Sequence, residues 1–462
     1  MLRDNKLEGK DLKLLSSHYP ILGVLLAAFL VLISTGTYFS WDSQLEFEAA
    51  SNVVTRGFPF VTTGLMINQP PLGFYMDAPV FHIWGLSYLN GIAIVTAFGL
   101  GTVLALYALG TLLYGKRAGL VAAALFGIVP WHVYISRIFL IDNQFLFFGL
   151  FFLTIGIIAV KKNSEKLILA SGILFAVAFM TKLFAIFLIV PLLLTIFLRK
   201  DWNFKLTIRK ALIFLAPSII LQAIWFGGFA NQNFLGVYLS SDFTHPELVA
   251  NPSLLFLPII FVKSAGWFLF AAGLLALTLT AIYRKSLRKF LWLDAVCIGT
   301  IATVAGLDLV FVLGFHLTVP YVSAFKYNYV ALPFFCLLAA SLIHKGSLLL
   351  GSIERKTKEY YVRLCLAGFG VALLFASLLE SILFLEKWVG FVAFGVDTVT
   401  YYGFNVFTEP IYNELYLFHN VAFVLIICSL ALPPLVKPLR KKLGHYLKDP
   451  GADSINQPSG TR

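Results

Sequence analysis

Four charged residues beside long apolar segments are the residues of this sequence best suited to chemistry. Asp42 follows the first apolar segment, and Asp142 lies between the third and the fourth. Lys182 and Lys326 lie beside later segments. A carboxylate can take a proton from a hydroxyl group, and an ammonium group can hold or neutralise an anion. Because charge is costly to bury beside a membrane, the four residues together predict a shared site.

Each of these residues also has a purely structural interpretation. Asp42 and Asp142 can each cap the helix that follows them, and the segment after Asp42 is helix-like up to Gly57. Lys182 can extend its ammonium group to lipid headgroups. The tyrosines around Lys326 are typical of an interfacial aromatic belt. The sequence alone leaves both interpretations open.

The loop between the first two apolar segments holds further polar residues. Helical spacing places Glu46 one turn after Asp42 on the same face, with Glu48 on another face. The stretch QPPLGFY at 69–75 follows, and its two prolines predict an extended run along the membrane surface. Aromatic residues from Tyr75 onward give this stretch an amphipathic character, which suits either the border of a lipid groove or an anchor for the loop.

Composition places the chain among helical membrane proteins. Of its 462 residues, 59% are hydrophobic and 13% are charged, against about 25% charged in a soluble domain. Apolar runs near 20 residues recur throughout, and about 20 helical residues cross a bilayer. Four cysteines lie in or beside these runs and predict small core residues without a disulfide framework. The pattern predicts an all-α polytopic protein with about twelve spans: 19–40 (uncleaved), 92–114, 118–135, 140–160, 167–181, 183–198, 211–230, 257–283, 292–315, 329–344, 363–386 and 416–435.

The distribution of basic residues predicts the orientation. With the N-terminus inside, the predicted cytoplasmic segments carry 29 of the 35 Lys and Arg residues. This placement in short loops argues against nucleic-acid binding, despite a net charge of +12. Both termini are predicted to be cytoplasmic in a multi-pass cell-membrane protein. Cations on the opposite face must hold an anion, an acidic partner or a lipid headgroup, and they are Arg56, Arg137, Lys182, Lys263, Lys326 and Lys387.

The same topology divides the chain into four parts. They are a cytoplasmic N-terminus at 1–18, a transmembrane core at 19–345 that includes the extracytoplasmic loop 41–91, C-terminal helices at 346–435 with a loop at 387–415, and a cytoplasmic tail at 436–462.

Five short motifs in order resemble those of the membrane-embedded GT-C glycosyltransferases, in particular the protein O-mannosyltransferases and lipid A aminoarabinose transferase. Those enzymes carry an acidic D-E motif, K-P-P-L, R-x-x-x-x-D, a T-K pair and R-Y-x-x-x-x-x-P. The counterparts here are Asp42, QPPL at 69–72, RIFLID at 137–142, TK at 181–182 and KYNYVALP at 326–333. The chain departs from the pattern at Ser43, Gln69 and Lys326, where the family has Glu, Lys and Arg.

The resemblance implies a GT-C fold and transfer of a hexosyl or pentosyl group, mannosyltransferase-like, from a polyprenyl-phosphate donor. The acceptor would be a hydroxyl group of a protein, lipid or glycan on the extracytoplasmic face, with inversion. Asp42 would be the base, and Lys182, Lys326 and Arg137 would neutralise the leaving phosphate.

The resemblance leaves other roles open. Asp142, the second catalytic candidate, could orient Arg137, position the acceptor or share a divalent ion with Asp42. The remaining predicted substrate-binding residues are Glu48, Gln69, Tyr75 and Tyr327. No tightly bound cofactor is expected, although two carboxylates leave Mg²⁺ or Mn²⁺ open as ligands.

Two other classes of function compete with this interpretation. A twelve-helix secondary transporter would concentrate its polar groups at the membrane midplane, in related halves of the chain. Here the charges lie at one face and the halves differ. A non-catalytic lipid-binding membrane protein is the second alternative, and the loss of the K-P-P-L lysine at Gln69 favours it.

Overall fold

The computed structural model describes residues 41–61, 69–225, 265–314, 328–351 and 359–378, together with residues 23, 26 and 67. All regular elements in these ranges are helices. They are α1 (Trp41–Arg56), α2 (Leu72–Trp84), α3 (Tyr88–Tyr114), α4 (Lys116–Ile128), α5 (Pro130–Ile135), α6 (Asp142–Lys162), α7 (Glu165–Thr181), α8 (Ile189–Leu198), α9 (Ile208–Ile224), α10 (Trp267–Ile282), α11 (Leu291–Gly314), α12 (Leu332–Gly351) and α13 (Glu359–Leu378).

The helices confirm a multi-pass membrane protein. Within the described ranges, five apolar helical segments are at least 18 residues long, enough to cross a membrane: α3, α6, Arg288–Leu307, α12 and α13. The predicted span 118–135 is two helices, because Pro130 starts α5 and cannot continue the hydrogen-bond ladder of α4. The count of twelve and the orientation remain predictions, since the span 416–435 and most of the span 19–40 lie outside the described residues.

The main bundle is built around α3, α6 and α12. The helix α3 packs against α4 and α6, α6 packs against α7, and α12 packs against α4 and α10. At the contact of α3 with α4, a side chain at Gly110 would lie 2.8 Å from the Cα atom of Gly119. Small residues of this kind let helix backbones approach closely in membranes. The bundle therefore holds the start of α6 in fixed relation to α3 and α12.

The first loop forms a separate small core around Phe139. The ring of Phe47 on α1 packs edge-on against Phe139 and against Phe81 of α2, each at 5.6 Å between centroids. Gly91 on α3 completes the contact, because a Cβ atom there would lie 2.5 Å from the Phe139 ring. Edge-to-face packing of aromatic rings is favourable beyond the area it buries. This core fixes α1 and α2 against the segment that leads into α6.

The predicted extended run over QPPLGFY is wrong from Leu72 onward. Helix α2 starts at Leu72, with Pro71 as its N-cap residue at φ −84°. Prolines at the start of a helix lack only N–H groups that would have no helical partner anyway, so they precede a helix as readily as an extended segment. Burial along α2 does not separate polar from apolar residues, since Phe74, Phe81 and Asp77 are buried while Trp84 is exposed, so the amphipathic character stays a prediction.

A buried ion pair fastens one end of the bundle. The Lys345 ammonium donates to both carboxylate oxygens of Asp294, at 2.9 and 2.8 Å, and to the carbonyl of Ala276 at 3.0 Å. The hydroxyl groups of Tyr114 and Thr280 donate to the same carboxylate, at 3.3 and 2.6 Å. All three lysine donors and both carboxylate oxygens are therefore used, as expected for an ion pair with a structural role.

Candidate functional site

The second buried ion pair joins two of the predicted site residues. The Lys182 ammonium donates to Oδ2 of Asp142 at 2.7 Å, and the lysine is 4% exposed while the aspartate is fully buried. Asp142 is the first residue of α6, and Lys182 lies in extended backbone (φ −152°) between α7 and the 3₁₀ turn Leu183–Leu188. The helix therefore breaks at Lys182, as the sequence predicts. The side chain binds Asp142 instead of extending to headgroups.

Unused hydrogen-bonding capacity distinguishes this pair from the structural one. Within the described residues, Lys182 donates to one acceptor only, although an ammonium group carries three N–H donors. Oδ1 of Asp142 has no hydrogen-bond partner there either. The Asp294–Lys345 pair, in contrast, is saturated. A buried charged pair with open donors and acceptors is expected where a ligand or water completes it.

Glu46 brings a further carboxylate to the start of α6. Its Oε2 accepts a hydrogen bond at 2.9 Å from the backbone N–H of Ile141, the residue that precedes α6. A carboxylate is favourable at the N-terminus of a helix because of the free N–H groups and the helix dipole. Asp42 lies one helical turn before Glu46 on the same helix and is half-buried. The first loop therefore brings Glu46 to the start of α6, and a role for Asp42 beside Asp142 stays a prediction.

A chain of buried hydrogen bonds ties α6 to the segment before α12. The Tyr329 hydroxyl donates to Oδ1 of Asn143 at 2.5 Å and lies 2.6 Å from Nδ1 of His132. The Asn143 amide donates to the hydroxyl of Ser136 at 2.8 Å, and Ser136 donates to the carbonyl of His132 at 2.7 Å. Because Asn143 follows Asp142 directly, this network fixes Tyr329 near the start of α6.

Helix α2 is fastened to α6 by a buried acid–amide contact. The Gln144 amide donates to Oδ1 of Asp77 at 2.5 Å, and both side chains are fully buried. The backbone of α2 comes close because Gly73 has no side chain: a Cβ atom there would lie 2.9 Å from Oε1 of Gln144. Burial raises the pKa of the Asp77 carboxyl well above its usual range; the hydrogen bond from Gln144 opposes this, and the charge of Glu46 adds to it.

The raised pKa of Asp77 predicts a pH-dependent stability. The Asp77 carboxyl holds its proton more tightly in the folded protein than in the unfolded chain. Its contribution to the folding stability is therefore complete below the unfolded pKa of about 4 and is lost as pH rises towards the folded pKa. Asp77→Asn keeps the neutral shape and has no proton to lose. We expect its melting temperature to exceed that of the wild type at pH 7, with the difference vanishing near pH 4.

The control for this prediction is Asp201→Asn, a change in an exposed ion pair with Arg199. It should shift the melting temperature little at either pH, because exposed pairs contribute about 0–1 kcal/mol. An Asp77→Asn protein destabilised equally at both pH values would show that the Asp77 carboxylate is charged in the folded state.

The other predicted site residues fall into three groups. Arg137 is buried five residues before Asp142, near the end of α5. Gln69 and Glu48 are half-buried in the first loop, and the Tyr75 hydroxyl donates to the carbonyl of Gly57 at 2.7 Å, where it closes the loop. A third group lies outside the described residues: Lys326 and Tyr327, with the other predicted extracytoplasmic cations Lys263 and Lys387.

Sequence reasoning did not assign site roles to Glu46, Asp77 or Tyr329. Glu46 carried a signal, namely its helical spacing from Asp42. A charge at Asp77 within the apolar helix LGFYMDAPVFHIW was a second signal. Tyr329 lies 186 residues from its partner Asn143, and no local pattern predicts such a contact.

Comparison with known sequences gives one family match. The family described as dolichyl-phosphate-mannose-protein mannosyltransferase matches residues 68–226. This range contains the first-loop helix α2, the Asp142–Lys182 pair and the helices between them. No curated protein sequence matches the chain.

Comparison with solved structures gives the fold. ArnT from Cupriavidus metallidurans in the apo state is 13% identical, with a TM-score of 0.54 over 90% of this chain and 78% of ArnT. ArnT bound to undecaprenyl phosphate gives 14% identity and 0.54 over 94% and 81%. Archaeoglobus fulgidus oligosaccharyltransferase AglB, in complex with an inhibitory peptide and a dolichol-phosphate, gives 15% and 0.50 over 81% of this chain and 56% of AglB. Over residues 68–226 the chain is therefore similar to the family described as dolichyl-phosphate-mannose-protein mannosyltransferase, and it shares its helical membrane-protein fold with ArnT and AglB.

Proposed function

We propose that this protein transfers a sugar from a polyprenyl-phosphate donor to an acceptor hydroxyl group on the extracytoplasmic side of the membrane. The observation that carries the proposal is the buried Asp142–Lys182 pair, which keeps open donors at the end of the bundle where the first loop packs. An ammonium group with free N–H donors in a partly dry site suits a phosphate anion. The solved ArnT and AglB structures, which contain undecaprenyl phosphate and dolichol-phosphate, support this class of ligand.

In the proposed reaction, the acceptor oxygen attacks the anomeric carbon of the donor sugar. The bond between that carbon and the phosphate oxygen breaks, and the electron pair leaves with the phosphate. Lys182, with Arg137 and Lys326, would neutralise the growing charge, so no general acid is needed. The acceptor proton would pass to Asp42, and in-line attack inverts the anomeric centre. This differs from glycosidases, where a second carboxylic acid must protonate the leaving group.

The structure favours particular roles for the three carboxylates. Glu46 already accepts a backbone hydrogen bond at the start of α6 and is buried, so it is less suited to meet an acceptor. Asp42 is partly exposed one turn earlier and can reach an incoming hydroxyl. Asp142 holds the ammonium of Lys182 at 2.7 Å. Of the roles open for Asp142, orientation of a cation is therefore the one that the geometry supports, with Lys182 in place of Arg137.

The proposed reaction includes no metal ion. Among the described residues, no three acidic, histidine or cysteine side chains lie together as a donor set. Asp142 binds a lysine and Glu46 binds a backbone amide, so neither presents a ready pair of oxygens to a cation. We therefore derive no step through Mg²⁺ or Mn²⁺.

Donor turnover tests the proposal. Membranes that contain the wild-type chain should convert undecaprenyl-phosphate-mannose, or a related lipid-linked sugar, to undecaprenyl phosphate faster than membranes without the chain. The Lys182→Gln variant should not. Uptake of free solutes without loss of the lipid-linked sugar would favour the transporter, and lipid binding without turnover would favour the non-catalytic protein.

A further inference from the structure

Asn328 is a fully buried polar side chain whose hydrogen-bonding groups are unused. It lies directly before Tyr329 and is 0% exposed. Its backbone carbonyl accepts a hydrogen bond from Ala331 at 2.8 Å, so the backbone is fixed. Yet neither the oxygen nor the nitrogen of its side-chain amide has a hydrogen-bond partner among the described residues. Buried amides are nearly always paired, and one left unpaired calls for an explanation.

A second buried asparagine in the same region shows what a structural role requires. The Asn143 amide donates to Ser136 at 2.8 Å and to the carbonyl of Val95 at 3.3 Å, and it accepts from Tyr329. Its side chain therefore ties three elements together. Asn328 makes none of these contacts. The unliganded protein is therefore expected to be less stable with this asparagine than with a leucine of similar size at the same position.

Its position connects Asn328 with the proposed site. The next residue, Tyr329, binds Asn143, which itself follows Asp142. Asp142 Oδ1 is likewise without a partner, and Lys182 keeps unused donors. Unsatisfied polar groups therefore gather where the start of α6 meets the segment before α12. Such groups gain hydrogen bonds when a ligand or water enters.

The chemistry of an amide narrows the class of ligand. A free side-chain amide offers two N–H donors and a carbonyl acceptor. A phosphate or carboxylate would use only the donors, and a metal ion only the acceptor. A hydroxyl group both donates and accepts, so a polyhydroxylated group matches all the free positions. Sites built to bind a substrate hydroxyl group discriminate strongly against ligands without one.

We infer that the Asn328 side chain binds hydroxyl groups of the donor's sugar and helps to select it, whereas Lys182 binds the phosphate. This assignment rests on the proposed glycosyltransferase function and extends it to the sugar itself. Asn328 would thus separate a sugar-bearing lipid phosphate from the bare lipid phosphate that remains after transfer.

The first arm of the test is stability. Asn328→Leu removes an unpaired amide, so its melting temperature should equal or exceed that of the wild type. Asn143→Leu is the matched control and should be clearly less stable, since it removes the buried hydrogen bonds of Asn143 with Tyr329, Ser136 and Val95. If Asn328→Leu lowers the melting temperature as much as Asn143→Leu does, Asn328 has a structural role and the inference is wrong.

The second arm is binding by the purified full chain without acceptor, with undecaprenyl-phosphate-mannose and undecaprenyl phosphate as probes. The wild type should prefer the sugar-bearing lipid by about tenfold, a preference that one or two neutral hydrogen bonds supply. Asn328→Leu should lose this preference and keep wild-type affinity for undecaprenyl phosphate. A variant that keeps the preference overturns the inference and leaves the proposed function standing. A wild-type protein that binds neither lipid better than undecaprenol overturns the proposed function and the inference with it.

Discussion

Replacing Lys182 by methionine is expected to abolish donor binding and to destabilise the protein. The change leaves the fully buried Asp142 carboxylate without its cation. Breaking a buried ion pair by removing one partner costs about 3–5 kcal/mol, because the remaining charge is no longer compensated. The same change removes the ammonium group that would bind the donor phosphate. Thermal unfolding and equilibrium binding of the lipid phosphate measure the two effects separately.

The buried Asp294–Lys345 ion pair provides a matched control. Lys345→Met leaves Asp294 without its cation and should lower the stability by a similar amount. The two ion pairs lie near opposite ends of α3. Tyr114, the last residue of α3, donates to Asp294. Tyr88, the first residue of α3, accepts a hydrogen bond from the backbone of Phe139 near the candidate site. The 27-residue helix separates the two ends by about 40 Å. The folded fraction of Lys345→Met should therefore bind the donor normally.

A double variant separates charge balance from ligand binding. Asp142→Asn combined with Lys182→Met removes both buried charges, so most of the lost stability should return. Donor affinity should stay low, because no cation has been restored. Equal loss of donor affinity in Lys182→Met and Lys345→Met would mean that donor binding follows overall stability, and Lys182 would then have no specific role.

Asp42→Asn is expected to lower turnover by about 10²–10⁴-fold, the usual contribution of a general base. Asparagine keeps the size of the side chain and its hydrogen bonding but cannot accept a proton. The affinity for the donor should change little, since the proposed phosphate contacts lie on other residues. Single-turnover kinetics at saturating donor would separate the chemical step from binding.

Glu46→Gln serves as the comparison for Asp42→Asn. Glutamine can still accept from the N–H of Ile141, although more weakly than a carboxylate, so its main effect should be on stability. A turnover loss for Glu46→Gln as large as that for Asp42→Asn would assign the base to Glu46 or to both groups. Near wild-type turnover in Asp42→Asn would rule out Asp42 as the base.

Local features of the fold could be predicted from the sequence because local physics decides them. The helix after Asp42 ends at Arg56, and Gly57 follows at φ +81°, a conformation that glycine adopts without strain. The polar pair at 181–182 interrupts an apolar run too long for one crossing, and α7 ends at Thr181. Composition alone indicated the membrane class. The extended segment predicted from the prolines at 70–71 was wrong, because the fixed φ angle of proline suits both an extended segment and the start of a helix.

Residue pairings were harder to predict, because they depend on tertiary packing. Lys182 could reach a headgroup or an acid, and only the packing of α6 beside α7 brings it to Asp142. From the sequence, Asp142 could orient Arg137, position the acceptor or share a divalent ion with Asp42, and a pairing with Lys182 was not among these alternatives. The contact of Gln144 with Asp77 spans 67 residues and needs the close approach that Gly73 allows. Apolar periodicity cannot reveal such contacts, since it records which faces are buried and not what they face.

The affinity of the purified protein for undecaprenyl phosphate relative to undecaprenol is the most direct test of the central claim. The two lipids share the polyprenyl chain and differ only in the phosphate. If the Asp142–Lys182 pair is the phosphate-binding centre, the wild type should bind the phosphate at least about tenfold more tightly, as a charge-assisted hydrogen bond in a buried site requires. The double variant Asp142→Asn with Lys182→Met should bind both lipids alike. Equal affinity of the wild type for the phosphate and the alcohol would contradict the account.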